Sequence, residues 1–212
     1  DGMMPAVRSL VVRALLCASA LAAAAPIPAQ AWADALSTRM QRIKDTRVVR
    51  LGYRDGAIPF SFVGADGKPV GYSLDLCHAS VATLAEDLAV PALRAEYVRV
   101  TALDRIERVA AGAVALEFGA TTITRDRRAR RAFSPVVFVT GTRLAVPRDS
   151  AVRGLTDLAG RRVAVVGGTT NEAAMRELDR LRGLGLAFVV AGGYRAALAA
   201  LRGGKADALA AP

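Results

Sequence analysis

Cysteine and histidine are nearly absent from this chain, which has two cysteines, Cys17 and Cys77, and one histidine, His78, in 212 residues. A zinc site needs three or four ligands, and a Ser/His or Cys/His catalytic pair needs a histidine beside the nucleophile. No Gly-x-Ser-x-Gly nucleophile elbow accompanies His78. The composition therefore predicts no metal, no cofactor and no catalytic residue, and it favours Cys77 as a core residue.

Aromatic residues and acidic residues are also scarce. Aromatics make up 5% of the chain, and 29 lysines and arginines face 19 acidic residues, for a formal net charge of +10. A basic protein favours anionic partners, which include acidic metabolites and nucleic acid. The arginine-rich stretch over residues 125–131 has no interleaved aromatics of the kind that stack on bases, so we expect no nucleic-acid partner.

Long apolar runs are confined to the beginning of the chain. Residues 10–25 are apolar and Ala-rich, Arg8 precedes them, Arg13 interrupts them, and small residues follow. This pattern is typical of a secretory signal peptide, and the run is too short to serve as a membrane anchor. We expect a signal peptide over residues 1–33, with cleavage after Ala31 or Ala33, and a periplasmic location.

Apolar periodicity alternates between strand-like and helix-like segments along the rest of the chain. Val48–Arg54 is typical of a buried strand, residues 73–88 have helical spacing, and Asp66-Gly67 predicts a hairpin within 55–71. The other predicted strands are 94–100, 115–118, 162–166, 186–190 and 207–210; the other predicted helices are 103–109, 125–131, 155–158, 171–181 and 194–201; residues 136–146 are predicted as an extended connection. The order predicts an α/β protein with doubly wound sheets in two lobes and a ligand cleft between them.

Arginines and hydroxyl residues recur where predicted strands lead into helices. Arg54 ends the first strand, Arg105 follows Thr101-Ala102-Leu103-Asp104, Arg127 follows Thr121-Thr122, and Thr169 follows a Gly-Gly pair. Helix N-termini and arginine forks both favour a bound carboxylate. The same threonines also form ordinary helix caps, and surface arginines are common, so capping remains an alternative for each position taken alone.

These residues resemble a known family, the periplasmic amino-acid-binding proteins of ABC importers (solute-binding protein family 3), and within it the glutamate/aspartate-binding type. The resemblance covers nearly all of residues 40–210. The stretches that carry it are Gly52-Tyr53-Arg54-Asp55, Ile58-Pro59-Phe60-Ser61-Phe62, Val70-Gly71-Tyr72-Ser73-Leu74-Asp75, Asp104-Arg105-Ile106, Gly119-Ala120-Thr121-Thr122, Ala132-Phe133-Ser134-Pro135, Gly141-Thr142-Arg143-Leu144 and Gly168-Thr169-Thr170-Asn171-Glu172.

The resemblance implies a fold, a function and a set of ligand contacts. The fold is the two-lobed periplasmic-binding-protein fold, with lobe 1 over residues 34–138, a hinge crossover over 139–147 and a partial lobe 2 over 148–212. The function is capture of glutamate or aspartate for a membrane permease by a monomeric receptor. The implied ligand-binding residues are Arg54, Arg105, Thr121, Thr122, Arg127, Thr169 and Tyr194, with Thr121 acting through its backbone N–H.

The sequence departs from the family pattern in two ways. Ala102 and Ala120 stand where close relatives tend to carry serine. The chain also stops at Pro212, before the return crossover, the rest of the second lobe and the family's acidic partner for the ligand's α-ammonium group. Since an unpaired buried ammonium costs several kcal/mol, we expect the 212-residue chain to bind weakly or not at all.

A second class of function uses the same scaffold. Exported dehydratases of prephenate-like acids share the fold and also bind carboxylates through arginines. Such an enzyme requires a general acid in the cleft. Glu117 and Asp55 are the only carboxylates near the expected strand ends, and a structural role for Glu117 is favoured over a catalytic one.

Overall fold

The computed structural model describes residues 29–212, with side chains from residue 38 onward. Residues 42–212 form one compact unit. The predicted signal peptide lies for the most part outside the described residues; helix α1 (Ala29–Thr46) begins before both predicted cleavage positions. Within the described part, no helix combines the length and apolar character needed to cross a membrane.

The first sheet contains three parallel strands in the order β4-β1-β5. Strand β1 (Val48–Arg54) lies in the middle, pairs with β4 (Arg94–Val100) along its whole length and pairs with β5 (Leu116–Phe118) from Leu51 to Tyr53. A separate antiparallel hairpin of β2 (Phe62–Val63) and β3 (Pro69–Val70) follows β1. Because the three sheet strands are parallel, their carboxyl ends meet at one edge.

Helices α2 (Tyr72–Asp87), α3 (Arg105–Ala110) and α4 (Arg125–Arg128) accompany this sheet. The core between sheet and α2 contains Val49, Leu51, Leu74 and Cys77, all fully buried. Cys77 is thus the core residue that the sequence predicts, and burial raises the pKa of its thiol to about 12.

The second sheet contains four strands in the order β6-β9-β7-β8. They are β6 (Arg143–Ala145), β7 (Arg162–Val166), β8 (Ala187–Ala191) and β9 (Ala208–Ala211), and only β6 runs antiparallel to its neighbour, β9. A short 3-10 helix (Thr156–Leu158) precedes β7, and helices α5 (Thr170–Arg182) and α6 (Tyr194–Arg202) follow β7 and β8.

The predicted elements from 48 to 118 and from 155 to 211 agree with the structure to within a few residues, and the antiparallel hairpin is present. One prediction was wrong in extent, since the charged helix over 125–131 ends at Arg128. The connection over 136–146 contains regular strand at Arg143–Ala145, whereas Val136, Val137, Phe138 and Val139 are exposed and pair with no strand of the described part.

Candidate functional site

Arg54 marks the carboxyl end of β1. Ser61 fixes this end of the strand, since its Oγ accepts the Arg54 backbone N–H at 2.9 Å and donates to the Arg54 carbonyl at 2.9 Å. The Arg54 side chain is only 4% exposed, and its guanidinium carbon lies 5.9 Å from the ring centroid of Tyr194. The Ser61 hydroxyl therefore fixes the backbone of Arg54, and the Tyr194 ring lies beside its buried guanidinium group.

Arg105 begins α3 and is 2% exposed, which makes it the largest fully buried side chain of the described residues. Its Nε donates to Thr121 Oγ1 at 2.6 Å, and its Nη1 donates to the Ala102 carbonyl. The turn before it is a reciprocal capping box, in which Asp104 Oδ1 accepts the Thr101 backbone N–H at 2.6 Å and Thr101 Oγ1 accepts the Asp104 N–H at 3.1 Å. Burial lowers the pKa of Arg105 to about 10, although Glu117 opposes this shift.

Arg127 connects the two lobes. Thr124 caps the short helix α4, since its Oγ1 accepts the Arg127 backbone N–H at 3.2 Å. The side chain donates from Nη1 to the Thr122 carbonyl at 3.0 Å and from Nη2 to the Gly168 carbonyl at 3.3 Å. Gly168 follows β7, so one guanidinium holds a loop from each sheet.

The loop after β7 approaches the first lobe closely. Gly168 has a φ of +73°, and a Cβ there would lie 2.8 Å from Leu103 Cδ2 and 2.9 Å from the Ala102 carbonyl oxygen. Thr122 Oγ1 and Thr170 Oγ1 share a hydrogen bond at 3.0 Å across the same gap. Glycine is required at 168, because the backbone conformation and the space both exclude a side chain.

Thr169, Asn171 and Tyr194 occupy the second-lobe side of the site. The Thr169 hydroxyl donates to the Val166 carbonyl at 2.7 Å and accepts the Glu172 N–H at 3.2 Å, so it caps α5. Asn171 accepts from Thr142 Oγ1 at 2.7 Å and donates to Tyr194 OH at 3.0 Å. Burial raises the pKa of Tyr194, while the Asn171 hydrogen bond and the arginine charges lower it, and the phenol stays neutral near pH 7.

Glu117 lies in β5, opposite Gly52 of β1. Burial raises the pKa of its carboxyl, and Arg105, the Thr121 hydrogen bond, Arg54 and Arg127 pull it down in that order. Its Oε1 atom is withdrawn from solvent and has no hydrogen-bond partner among residues 38–212. In the described part, no group of three or more His, Cys, Asp or Glu side chains is arranged to hold a metal ion.

The predicted site residues come together, with differences in detail. Arg54, Arg105 and Arg127 all act electrostatically on the Glu117 carboxyl, Thr121 and Thr122 contact Arg105 and Arg127, and Tyr194 lies beside Arg54. The Thr121 hydroxyl accepts from Arg105, and the Thr169 hydroxyl is occupied by its own helix. The contact of the Thr121 backbone N–H with a ligand stays a prediction.

The sequence does not identify two residues of the cluster as ligand-binding residues. The sequence marks Asn171 as a helix start, and it offers Glu117 as a general acid of the enzyme alternative, with a structural role favoured. A charged residue between apolar neighbours in a short strand, two positions before the Gly119-Ala120-Thr121 turn, was the available signal for Glu117.

Several curated proteins are similar in sequence to this chain. An L-glutamate/L-aspartate-binding protein of Pseudomonas aeruginosa is 34% identical over 186 residues, which are 87% of this chain and 62% of the relative. Glutamate/aspartate import solute-binding proteins of Salmonella typhimurium and Escherichia coli are 31% and 29% identical, over 85% and 83% of this chain and 60% and 58% of their own length. The chain thus spans about three fifths of the length of these relatives.

Solved structures share the fold. The holo form of ArgBP from T. maritima superposes with a TM-score of 0.70 at 28% identity, covering 81% of this chain and 71% of that one. An ancestral amino acid-binding protein, titled a precursor of cyclohexadienyl dehydratase, gives a TM-score of 0.72 at 25% identity, covering 81% and 73%. These neighbours are two-lobed α/β proteins, which confirms the predicted fold class.

The sequence profile of the bacterial extracellular solute-binding proteins, family 3, matches residues 49–178, from the second residue of β1 into α5. That range contains Arg54, Arg105, Arg127 and the threonines of the cluster. The family and the curated relatives are solute-binding proteins rather than enzymes. The chain therefore belongs to the bacterial extracellular solute-binding proteins, family 3.

Proposed function

We propose that this chain is the extracytoplasmic solute-binding component of an ABC amino-acid importer and that it captures an acidic amino acid, glutamate or aspartate, between its two lobes. Three of the similar curated proteins carry glutamate and aspartate in their names. The family assignment supports solute binding in general. The preference for an acidic ligand rests on the chemistry of the cluster.

One observation carries that preference. Three arginines, two of them almost fully buried, converge on the edge where the first sheet meets the second lobe. Among the described residues, none of the three has a carboxylate within ion-pair distance. Buried charges are costly unless they are compensated, and a guanidinium fork fits a carboxylate in bidentate geometry. A ligand with two carboxylates would supply that compensation.

Each residue has a proposed part in this binding. Arg54, Arg105 and Arg127 contact the ligand carboxylates. Thr121 and Thr122 orient Arg105 and Arg127 through the bonds already described. Thr169 and Tyr194 form the second-lobe wall, Thr169 by holding the start of α5 and Tyr194 by its ring against Arg54.

The wider setting is proposed on the same basis. Residues 34–138 form lobe 1, 139–147 the hinge crossover and 148–212 the part of lobe 2 in this chain. The protein is exported to the periplasm, acts as a monomer and delivers its ligand to a membrane permease. Strand β6 lies within this crossover and pairs with β9, so the crossover leads directly into the second sheet.

A thermal-shift and calorimetric titration against the twenty amino acids tests the proposal, with ligand concentrations up to the millimolar range because weak binding is expected. Glutamate and aspartate should stabilise the chain. Their affinity should exceed that of glutamine and asparagine by about 2 kcal/mol, because an amide leaves a guanidinium without its charge partner. Equal binding of neutral amino acids, or stabilisation by none of the twenty, would contradict it.

A further inference from the structure

The Glu117 carboxylate is the one acidic group buried within the arginine cluster in the described part of the chain. A Cβ built on Gly119 would lie 2.3 Å from Glu117 Oε1 and 3.1 Å from Arg54 Cδ. The carboxylate therefore fills the space beside the Arg54 side chain that a residue larger than glycine at 119 would occupy. This position is close to the edge of the sheet where the three parallel strands end.

The charged groups that act on Glu117 come from three elements. They are Arg54 at the end of β1, Arg105 at the start of α3 and Arg127 in α4. Tyr194 of α6 acts on Arg54 and Arg105 rather than on the carboxylate itself. From α2, Ser73 donates to the Gly119 carbonyl at 2.8 Å and brings no charge.

The arginines approach Glu117 without enclosing it. Arg105 gives hydrogen bonds to Thr121 and Ala102, and Arg127 gives its bonds to Thr122 and Gly168. No salt bridge within 4.0 Å joins Glu117 to an arginine of the described residues, and Oε1 has no partner there. An unpartnered, buried carboxylate oxygen is costly unless something positive approaches it.

An acidic amino acid differs from the plain dicarboxylate of the same length by one ammonium group. Both ligands present two carboxylates to the arginines, but three arginine charges repel the ammonium. A nearby negative charge reduces that repulsion, and at short range in a partly buried site one charge pair changes affinity by about tenfold or more. Glu117 has the right sign, and all three arginines act on it electrostatically.

We propose that Glu117 is a specificity-determining residue, whose negative charge lets the three-arginine site accept an amino acid in preference to the plain dicarboxylate of the same length. The inference rests on the proposed function, because it assumes that the ligand carboxylates bind at the arginines. It adds a residue whose negative charge reduces the repulsion between the arginines and the ligand's ammonium group. Glu117 acts on the charge of the site and takes part in no reaction.

The test compares L-glutamate with glutarate, which lacks only the amino group, by calorimetry or thermal shift on the unsubstituted chain and on Glu117→Gln. We expect the unsubstituted chain to prefer glutamate, and Glu117→Gln to lower the glutamate-to-glutarate affinity ratio by about tenfold or more. Glu117→Asp keeps the charge and should keep most of the ratio. Glu107→Gln, which removes an exposed carboxylate 3.8 Å from Arg131, is the matched control and should leave the ratio unchanged.

A ratio that stays the same in Glu117→Gln overturns the proposal, since a structural role would weaken both ligands equally. The preference for glutamate over glutamine tests the arginine site itself, so a loss of that preference in the unsubstituted chain is a failure of the proposed function instead.

If Glu117→Gln does not fold, the unsubstituted chain provides a second measurement. Burial raises the pKa of Glu117, so its carboxyl takes up a proton at a higher pH than an exposed glutamate side chain does. After correction for the protonation of each free ligand, the glutamate-to-glutarate affinity ratio should decrease toward low pH, and a corrected ratio independent of pH would overturn the proposal.

Discussion

Arginines at the carboxyl edge of the first sheet differ in burial and pairing from the arginines of the second sheet and its helices. In the second lobe Arg176 pairs with Glu172 at 3.0 Å, Arg180 with Glu177 at 2.7 Å and Arg162 with Asp207 at 2.7 Å. These arginines are about half exposed or more. At the carboxyl edge of the first sheet, Arg54 and Arg105 are buried, and no carboxylate within ion-pair distance joins them in the described part.

This difference indicates which arginines are candidates for ligand binding. The chain has a large excess of basic residues, so an arginine by itself carries little information. Exposed pairs one helical turn apart contribute little to stability and are common on surfaces. Burial without a paired carboxylate costs free energy, and such an arrangement persists where a ligand compensates it.

Replacing Arg105 with methionine should produce the largest loss. The substitution removes the main positive charge acting on buried Glu117 and the hydrogen bonds to Thr121 and Ala102. We expect a decrease of about 3 kcal/mol in the free energy of unfolding, measured by urea denaturation, together with loss of glutamate binding.

Arg108→Met is the matched control, since Arg108 lies in the same helix and makes an exposed pair with Asp104 at 2.7 Å. Its cost should stay below about 1 kcal/mol. Equal costs for the two variants would show that burial does not distinguish these arginines.

Substitution of Gly168 by alanine should have the next largest effect. The positive φ costs about 1 kcal/mol for any residue with a side chain. The new methyl group would in addition collide with Leu103 and the Ala102 carbonyl of the other lobe. Gly183→Ala is the control, because Gly183 has a φ of +61° and nothing within 4 Å of the added atom.

The free energy of unfolding should therefore fall further for Gly168→Ala than for Gly183→Ala, by at least about 1 kcal/mol. Glutamate binding should weaken only in the former. Identical behaviour would mean that the lobes do not need their close approach at this loop.

The smallest expected effect concerns Asp207, which forms an ion pair with Arg162 in the second sheet. Hydrogen bonds from the Arg162 side chain and backbone lower the pKa of Asp207 to about 2. Because the folded pKa lies below the unfolded value of about 4, this carboxylate stabilises the fold above pH 4, and its contribution disappears as the pH falls toward 2. Asp207→Asn should lower the melting temperature by a few degrees at neutral pH and remove this part of the acid dependence. A variant with an unchanged melting temperature would show that the pair contributes nothing.

Much of the fold follows from local sequence patterns. Val48–Arg54 is a strand that begins with two β-branched residues and includes further apolar ones, and Thr170–Arg182 is a helix between a threonine cap and Gly183 in the left-handed conformation. Residues 136–139 have the same apolar, β-branched character, yet they are exposed and irregular. Strand formation there depends on a distant partner, which local patterns do not specify.

The candidate site also contains residues that the sequence predicts and residues that it does not. The three arginines were predictable, because each belongs to the end of a strand or the start of a helix, and parallel strands bring those ends together. The role of Asn171 was not, because its contacts with Thr142 and Tyr194 span 29 and 23 residues of sequence. The electrostatic setting of Glu117 was not predictable either, because the arginines that act on it belong to three other elements.

The most direct test of the central claim is a calorimetric titration of L-glutamate into the unsubstituted chain, Arg54→Met and Arg180→Met. Arg54 is 4% exposed and lies at the cluster, whereas Arg180 is an exposed second-lobe arginine paired with Glu177. Glutamate affinity should fall by at least about tenfold in Arg54→Met, which loses charged hydrogen bonds to the ligand, and stay unchanged in Arg180→Met. An Arg54→Met variant that binds glutamate as well as the unsubstituted chain would contradict the assignment of this cluster as the carboxylate site.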